Sequence, residues 1–409
     1  MRIIVQKFGG TSVATADGRK LVADRVERAV RDGYSTVVVV SAMGRQGEPY
    51  ATDTLIQLAN AACSDLAPRE LDLLLSTGEI ISSVIVAGVL KSRGLPVRVL
   101  TGGQAGILTD DTFGSANILK VDPAPVAQFL AEGYVTVVAG FQGSTAGGEV
   151  TTLGRGGSDT TAAALGGALK AEVVEIYTDV DGVKTADPRL VPDARTLSVT
   201  TYDEIAQMAH YGAKVVHPRA VEIAMQHAVP LRVKSTFEDS PGTLITYSLE
   251  AAGTSWSELH SGSPVTGVTH VTGLAQVSVE SEPDHPALQK LFRTLAQAGI
   301  SVDLINVSPG RATFCIDERK AVRAEALLRE IGLAPVVRIG VAKASVVGAA
   351  MRGRPGVMAA VAEALCNAGV EILQTADSHV TISCLVEAAA LRLAVQALHD
   401  AFGLGAKHA

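Results

Sequence analysis

Three groups of residues have the types and spacing to do chemistry. The first is Lys7-Phe8-Gly9-Gly10, where the apolar run Ile3-Ile4-Val5 ends in a lysine and two glycines. A fixed cation beside unshielded backbone N–H groups can hold phosphate oxygens, although a Gly-Gly after a strand also serves as a plain turn. The nucleotide loop Gly-x-x-x-x-Gly-Lys-Ser/Thr does not occur. The second is Thr151-Thr152-Leu153-Gly154-Arg155-Gly156-Gly157-Ser158-Asp159-Thr160-Thr161, followed by an Ala-rich helix. Its glycines let amides approach an anion at a positive helix end, and Arg155 can grip a carboxylate or phosphate in a fork. Ser158 or Asp159 read as a simple N-cap would need neither the arginine nor three glycines. The third runs Tyr177-Thr178-Asp179-Val180-Asp181-Gly182-Val183-Lys184-Thr185-Ala186-Asp187-Pro188-Arg189. Asx and proline turns explain part of that loop, and a nucleotide with Mg²⁺ nearby explains the remainder.

Smaller signals are Ser41-Ala42-Met43-Gly44, Ala51-Thr52-Asp53-Thr54, Ser76-Thr77-Gly78-Glu79 and Gly212-Ala213-Lys214-Val215-Val216-His217-Pro218. Each by itself fits a cap, a turn or a solvated lysine. His217 and the other eight histidines show no metal-ligand spacing, so no metal site built by the protein is expected.

These residues need elements to position them. Between residue 1 and about 245, short strands apolar on both faces (37–41, 97–100, 135–139, 173–177) alternate with helical stretches near 18–32, 52–63, 69–93, 159–170 and 202–228. That alternation predicts a three-layer α/β domain around a mainly parallel sheet with right-handed crossovers. Ligands in such sheets bind where strands end at their carboxyl edge, and the three groups follow strands. Residues 246–264 are small and polar and read as a linker. Beyond it, Leu295-Ala-Gln-Ala-Gly-Ile300 recurs as Leu365-Cys-Asn-Ala-Gly-Val370, each copy leading into paired strands. Two α+β modules of about seventy residues follow, at 265–335 and 336–409.

The 409 residues suit two or three domains, and 47% hydrophobic against 19% charged residues excludes a disordered chain. Only 4% are aromatic, so the core is aliphatic. A net charge of −7 argues against a general nucleic-acid binder. Cys63, Cys315, Cys366 and Cys384 sit in apolar runs without C-x-x-C spacing and read as buried free thiols of a reducing compartment. No signal peptide and no run of 18 uninterrupted apolar residues is found, so a cytoplasmic location without a membrane span is expected.

Lys7-Phe8-Gly9-Gly10-Thr11-Ser12, Ser76-Thr77-Gly78-Glu79, Gly154-Arg155-Gly156-Gly157-Ser158-Asp159 and Thr178-Asp179-Val180-Asp181-Gly182 together resemble the signature blocks of the aspartokinases. That family belongs to the amino-acid kinase superfamily. The spacing from Ser41 to Thr54 resembles its single-chain Bacillus-type branch, and the C-terminal repeat resembles paired, ferredoxin-like ACT domains. The resemblance covers essentially the whole chain, with the blocks in the family's order. It implies transfer of the ATP γ-phosphoryl group, with Mg²⁺, to the β-carboxylate of L-aspartate. By resemblance Lys7 and Asp159 are catalytic, and Thr52, Glu79, Arg155, Gly156, Gly157 and Ser158 bind aspartate. Lys7, Phe8, Gly9, Gly10, Ser41, Thr178, Asp179, Lys184, Arg189 and Lys214 lie near ATP, with Gly9 and Gly10 donating amide hydrogen bonds. Position 184 departs from the pattern, since many relatives carry Tyr or an apolar residue there.

No general base is required, because a carboxylate nucleophile is already ionised at neutral pH. The resemblance further implies feedback by lysine, threonine or meso-diaminopimelate at the ACT modules, which share strands, and at least a homodimer. Alternatives are another superfamily kinase acting on glutamate, acetylglutamate, carbamate or a nucleoside monophosphate, and a non-catalytic amino-acid sensor. A fused homoserine dehydrogenase is not expected at this length.

Overall fold

The computed structural model describes residues 1–210, 215–247, 263–280, 285–351 and 353–405. The chain forms two compact units, one of Met1–Val183, Thr196–Ala209 and Lys214–Leu259, the other of Lys184–Arg195, His210–Ala213 and His260–Ala409.

In the first unit an eight-stranded sheet runs in the order Val199–Thr201, Thr243–Thr246, Leu231–Ser235, Val173–Thr178, Ile3–Phe8, Ser35–Val40, Val135–Ala139, Val97–Leu100. Every neighbouring pair is parallel except Leu231–Ser235 with Thr243–Thr246. All six residues of Ile3–Phe8 and all five of Val135–Ala139 are buried, as covering on both faces requires. Alternate side chains leave a strand on opposite faces. Phe8 therefore enters the core beneath helices Ala16–Arg31 and Pro68–Ser92, with Val22, Val26, Val86 and Leu90. Lys7 leaves on the other face, toward the start of helix Gly157–Ala168.

A second sheet of four short strands, ordered Ile118–Val121, Ile107–Thr109, Gln142–Ser144, Val150–Thr152, had no counterpart in the sequence reading. Strands of three or four residues are too short to carry a periodic signal. The helical stretch read over 202–228 contains two helices, Tyr202–His210 and Pro218–Gln226. Pro218 lies in the first turn of the second, where its missing N–H costs nothing. Helix Pro68–Ser92 is long and apolar enough by mean hydropathy to cross a bilayer, yet it buries Asp72, Ser76, Glu79 and Ser83 within the unit.

The second unit is built on one antiparallel six-stranded sheet, ordered Asp303–Ser308, Arg311–Asp317, Gly267–Glu280, Pro335–Val347, Thr381–Glu387, Gln374–Asp377. The two long strands serve both halves of the repeat. Residues 274–280 pair with 311–317, whereas 341–347 pair with 381–387. Helices His285–Gln297 and Ala321–Glu330 bury Leu291, Leu295, Ala324 and Leu328 with Phe314. Helices Val357–Asn367 and Leu391–Ala401 bury Val361, Leu365, Ala394 and Leu398 with Val386.

The repeat holds down to single hydrogen bonds. Ile300 N–H donates to the Leu295 carbonyl, and Val370 N–H to the Leu365 carbonyl, both at 2.9 Å.

Residues 184–195 fall inside the span 1–245 read as one domain, but they cluster with the second unit, where Ala186 and Val191 join the core around Leu398. The linker read at 246–264 lies mostly outside the described residues. Cys315 and Cys384 are buried, whereas Cys63 and Cys366 are exposed, which corrects the reading of all four as buried.

Candidate active site

Lys7 stands at the end of a central strand, and Asp159 in the first turn of helix Gly157–Ala168. Their Nζ and Oδ1 atoms are 2.7 Å apart, with side chains only 11% and 13% exposed. Two charges this far out of water hold each other, and neither is stable there alone. The pair fixes the lysine in direction as well as in charge. Asp159 Oδ2 also accepts from the His217 amide at 3.3 Å. As an acid at a helix start it adds a favourable dipole interaction.

No side chain caps that helix, and its N-cap position is Gly156. Ser158 and Asp159 lie inside the helix, so the N-cap reading of either is excluded. Gly156 has φ +68, and a Cβ there would stand 2.1 Å from His217 Cγ. Only glycine lets the loop turn left-handed against that ring. The Gly157 amide donates to the Gly154 carbonyl at 3.0 Å, so the first-turn amides without a partner in the helix are those of Ser158 and Asp159.

These residues border a cavity of about 490 Å³ together with Ser41, Thr52, Glu79 and Arg155. The lining thus joins the first and second sequence groups with three of the smaller signals. Gly156, Gly157 and Ser158 line it too. Thr52 opens helix Thr52–Ala62. Glu79 is 2% exposed; its Oε1 accepts from the Ala42 amide at 3.1 Å, and its Oε2 has no partner among the described residues. Burial pushes its pKa up to about 8, and the Ala42 amide opposes the rise. A buried carboxyl with one free oxygen in a cleft is a receptor for a cation.

The other predicted residues that the structure describes do not line this cavity. Phe8 is fully buried and stacks on Tyr177 with centroids 4.7 Å apart, so its side chain belongs to the core and not to a ligand. The Gly9 amide donates to the Tyr177 carbonyl at 3.2 Å, which corrects its assignment as a donor to phosphate. A Cβ on Gly10 would meet the Ala42 and Gly44 carbonyls at 2.7 and 2.8 Å, so this glycine permits close packing of the 42–44 loop. Thr178 Oγ1 donates to Asp179 Oδ1 at 3.1 Å, and Asp179 pairs with Arg45 at 2.6 Å on the surface. Lys184 and Arg189 belong to the second unit, where Arg189 holds Asp187 at 2.7 Å. Lys214 lies outside the described residues.

Two site residues went unread. Asp72 lies seven residues, about two helical turns, before Glu79 on the same helix and lines the same cleft. It is fully buried and accepts from the Gly114 amide, the Thr152 amide (2.8 Å) and Thr152 Oγ1 (2.6 Å). It therefore ties the helix to the small sheet that leads into Gly154. The spacing of Asp72 and Glu79, seven apart and so on one face of the helix, was the available signal. Arg219 donates to the Leu153 and Ala116 carbonyls at 3.1 and 2.9 Å, bracing the loop before Arg155; nothing local in the sequence marks it. Asp72→Ala strands the buried donors it satisfied, and is expected to lower unfolding free energy by about 3 kcal/mol, read by urea denaturation.

A lysine on a parallel strand facing a glycine-flanked helix start, with a carboxyl-lined cleft between, is the arrangement of an amino acid kinase. The amino acid kinase family matches residues 2–235, and the ACT domain matches residues 336–400. Aspartokinase 1 of Bacillus subtilis is 47% identical over 99% of this chain and 100% of its own length. Among solved structures, E. coli aspartokinase III in complex with aspartate and ADP, in its R-state, covers 98% of this chain and 99% of its own, at 27% identity and TM-score 0.75. The same protein with lysine and aspartate, in its T-state, covers 97% and 99% at 28% identity and TM-score 0.75. The chain belongs to the aspartokinase family.

Proposed function

We propose that this chain transfers the γ-phosphoryl group of ATP to the β-carboxylate of L-aspartate, giving 4-phospho-L-aspartate. That reaction opens the synthesis of lysine, threonine, methionine and diaminopimelate. The observation that carries the reading is the buried Lys7–Asp159 pair at a glycine-flanked helix start, in one cleft with the half-satisfied Glu79 carboxyl.

Two anions must meet in line, so the task of the site is to offset their repulsion and fix their approach. Lys7, oriented by Asp159, neutralises charge on the transferring phosphoryl group. The Ser158 and Asp159 amides, in the first turn of helix Gly157–Ala168, donate to oxygens of the reacting groups. Arg155, exposed at the mouth, clamps a carboxylate of aspartate. Glu79 takes the aspartate ammonium on its free Oε2, and Thr52 and Ser158 complete the pocket. Ser41, Gly10, Thr178 and Asp179 are assigned to the nucleotide side, with Lys184, Arg189 and Lys214 as further nucleotide contacts. Asp159 is the hard carboxylate in the cleft that fits Mg²⁺, which would be held mainly by the nucleotide and would neutralise phosphate charge.

The domain assignment is catalytic over 1–245 and regulatory over the ACT repeat, with feedback by lysine, threonine or meso-diaminopimelate. We assign a cytoplasmic homodimer or higher homo-oligomer.

The test is ATP-dependent hydroxamate formation with aspartate, and ADP release with glutamate, N-acetylglutamate or UMP, each repeated with the three effectors. Aspartyl hydroxamate is expected. Turnover only with another acceptor would assign a different superfamily activity, and no turnover with any would assign a sensor.

A further inference from the structure

In the second unit, the excursion Lys184–Arg195 meets the last helix, Leu391–Ala401, at a small cluster of Asp193, His399 and Asp400. One donor atom from each lies within 4.8 Å of the others. His399 is fully buried, while both carboxylates reach solvent.

Thr185 Oγ1 accepts from the Arg195 amide at 3.1 Å, and its one proton has two acceptors within reach, the Leu404 carbonyl at 3.3 Å and His399 Nε2 at 3.0 Å. With that proton on the Leu404 side, Nε2 carries the ring hydrogen and Nδ1 is a bare lone pair. Among the described residues Nδ1 has no hydrogen-bond partner. It faces Asp400 Oδ1 at 4.0 Å, and Asp193 shares the cluster.

A buried, unpartnered imidazole nitrogen beside two carboxylates is the pattern a cation relieves. We propose that Asp193, His399 Nδ1 and Asp400 bind a divalent transition cation of the Zn²⁺ class, fastening the excursion 184–195 to the last helix. One imidazole nitrogen and two carboxylate oxygens are a donor set for Zn²⁺, Mn²⁺ or Co²⁺, with water completing the sphere, and a poor one for Mg²⁺. Thr185 is the outer hydrogen-bond partner of the imidazole, at its Nε2. The excursion begins directly after Val183 and ends before Thr196, both in the first unit, so the chain itself links this site to the catalytic unit. The ligands come from positions some two hundred residues apart, which is why no sequence spacing announces them.

Co²⁺ serves as the probe, added to the metal-free full chain without nucleotide or aspartate, and followed by its visible absorption and by Tm. Saturable uptake of one ion per chain with a rise in Tm is expected, both lost in Asp193→Asn/Asp400→Asn, whose side chains are accessible and keep their size. His399→Gln, judged by the same absorption after circular dichroism shows it folded, is expected to lose uptake too. No saturable uptake, or uptake undiminished in the double variant, overturns the proposal.

Discussion

Lys7→Ala is expected to cut kcat for aspartate phosphorylation by a factor on the order of 10² or more, with a smaller change in KM. The ammonium at 2.7 Å from Asp159 acts where charge shifts during transfer, so its loss is felt most in the transition state. Asp159→Ala should cost a similar factor, because the lysine then loses the partner that aims it. The two form one unit, so the double variant should be little worse than either single one. Steady-state kinetics on variants shown folded by circular dichroism checks this. A single variant with near-normal kcat removes the pair from the mechanism.

The second large effect concerns Glu79. Its pKa, raised from 4.5 to about 8 by burial, leaves it mostly protonated at neutral pH in the free protein. An arriving ammonium favours the ionised form, so binding should release a proton below pH 8. Aspartate KM should accordingly rise as pH falls below about 8. For stability the sign follows from the raised value: this group's contribution is fully present below its unfolded pKa and is lost as pH climbs toward 8.

Glu79→Gln keeps an acceptor for the Ala42 amide but removes the charge. It should raise aspartate KM about 30-fold or more, change kcat less, and flatten the pH dependence. Titration calorimetry in buffers of different ionisation enthalpy reads the proton release directly. Wild-type KM in Glu79→Gln would strip this residue of its role.

Much of the site was legible because its chemistry is local. Lys7 and Asp159 each sit where a strand ends or a helix begins, and glycines mark both places. The parallel sheet was legible from strands apolar on both faces, and the repeat from a helix end written twice. What escaped depends on contacts between distant residues. Nothing near Arg219 says that it braces the Leu153 carbonyl, or near Thr152 that it receives a carboxylate from a helix eighty residues earlier. Phe8 and Gly9 were overread: they adjoin the lysine in sequence, but strand alternation sends Phe8 to the opposite face and the Tyr177 carbonyl claims the Gly9 amide. The excursion 184–195 was hidden because its apolar residues fit either unit until the fold pairs them with Leu398.

The central claim is that the aspartate β-carboxylate itself attacks the γ-phosphorus. Aspartate carrying ¹⁸O in that carboxyl, turned over with ATP and trapped with hydroxylamine, tests it most directly. Hydroxylamine attacks the acyl carbon and releases phosphate with the bridging oxygen, so inorganic phosphate should carry one ¹⁸O, seen as an isotope shift in ³¹P NMR. Phosphate free of label, with ATP consumed, would contradict the account.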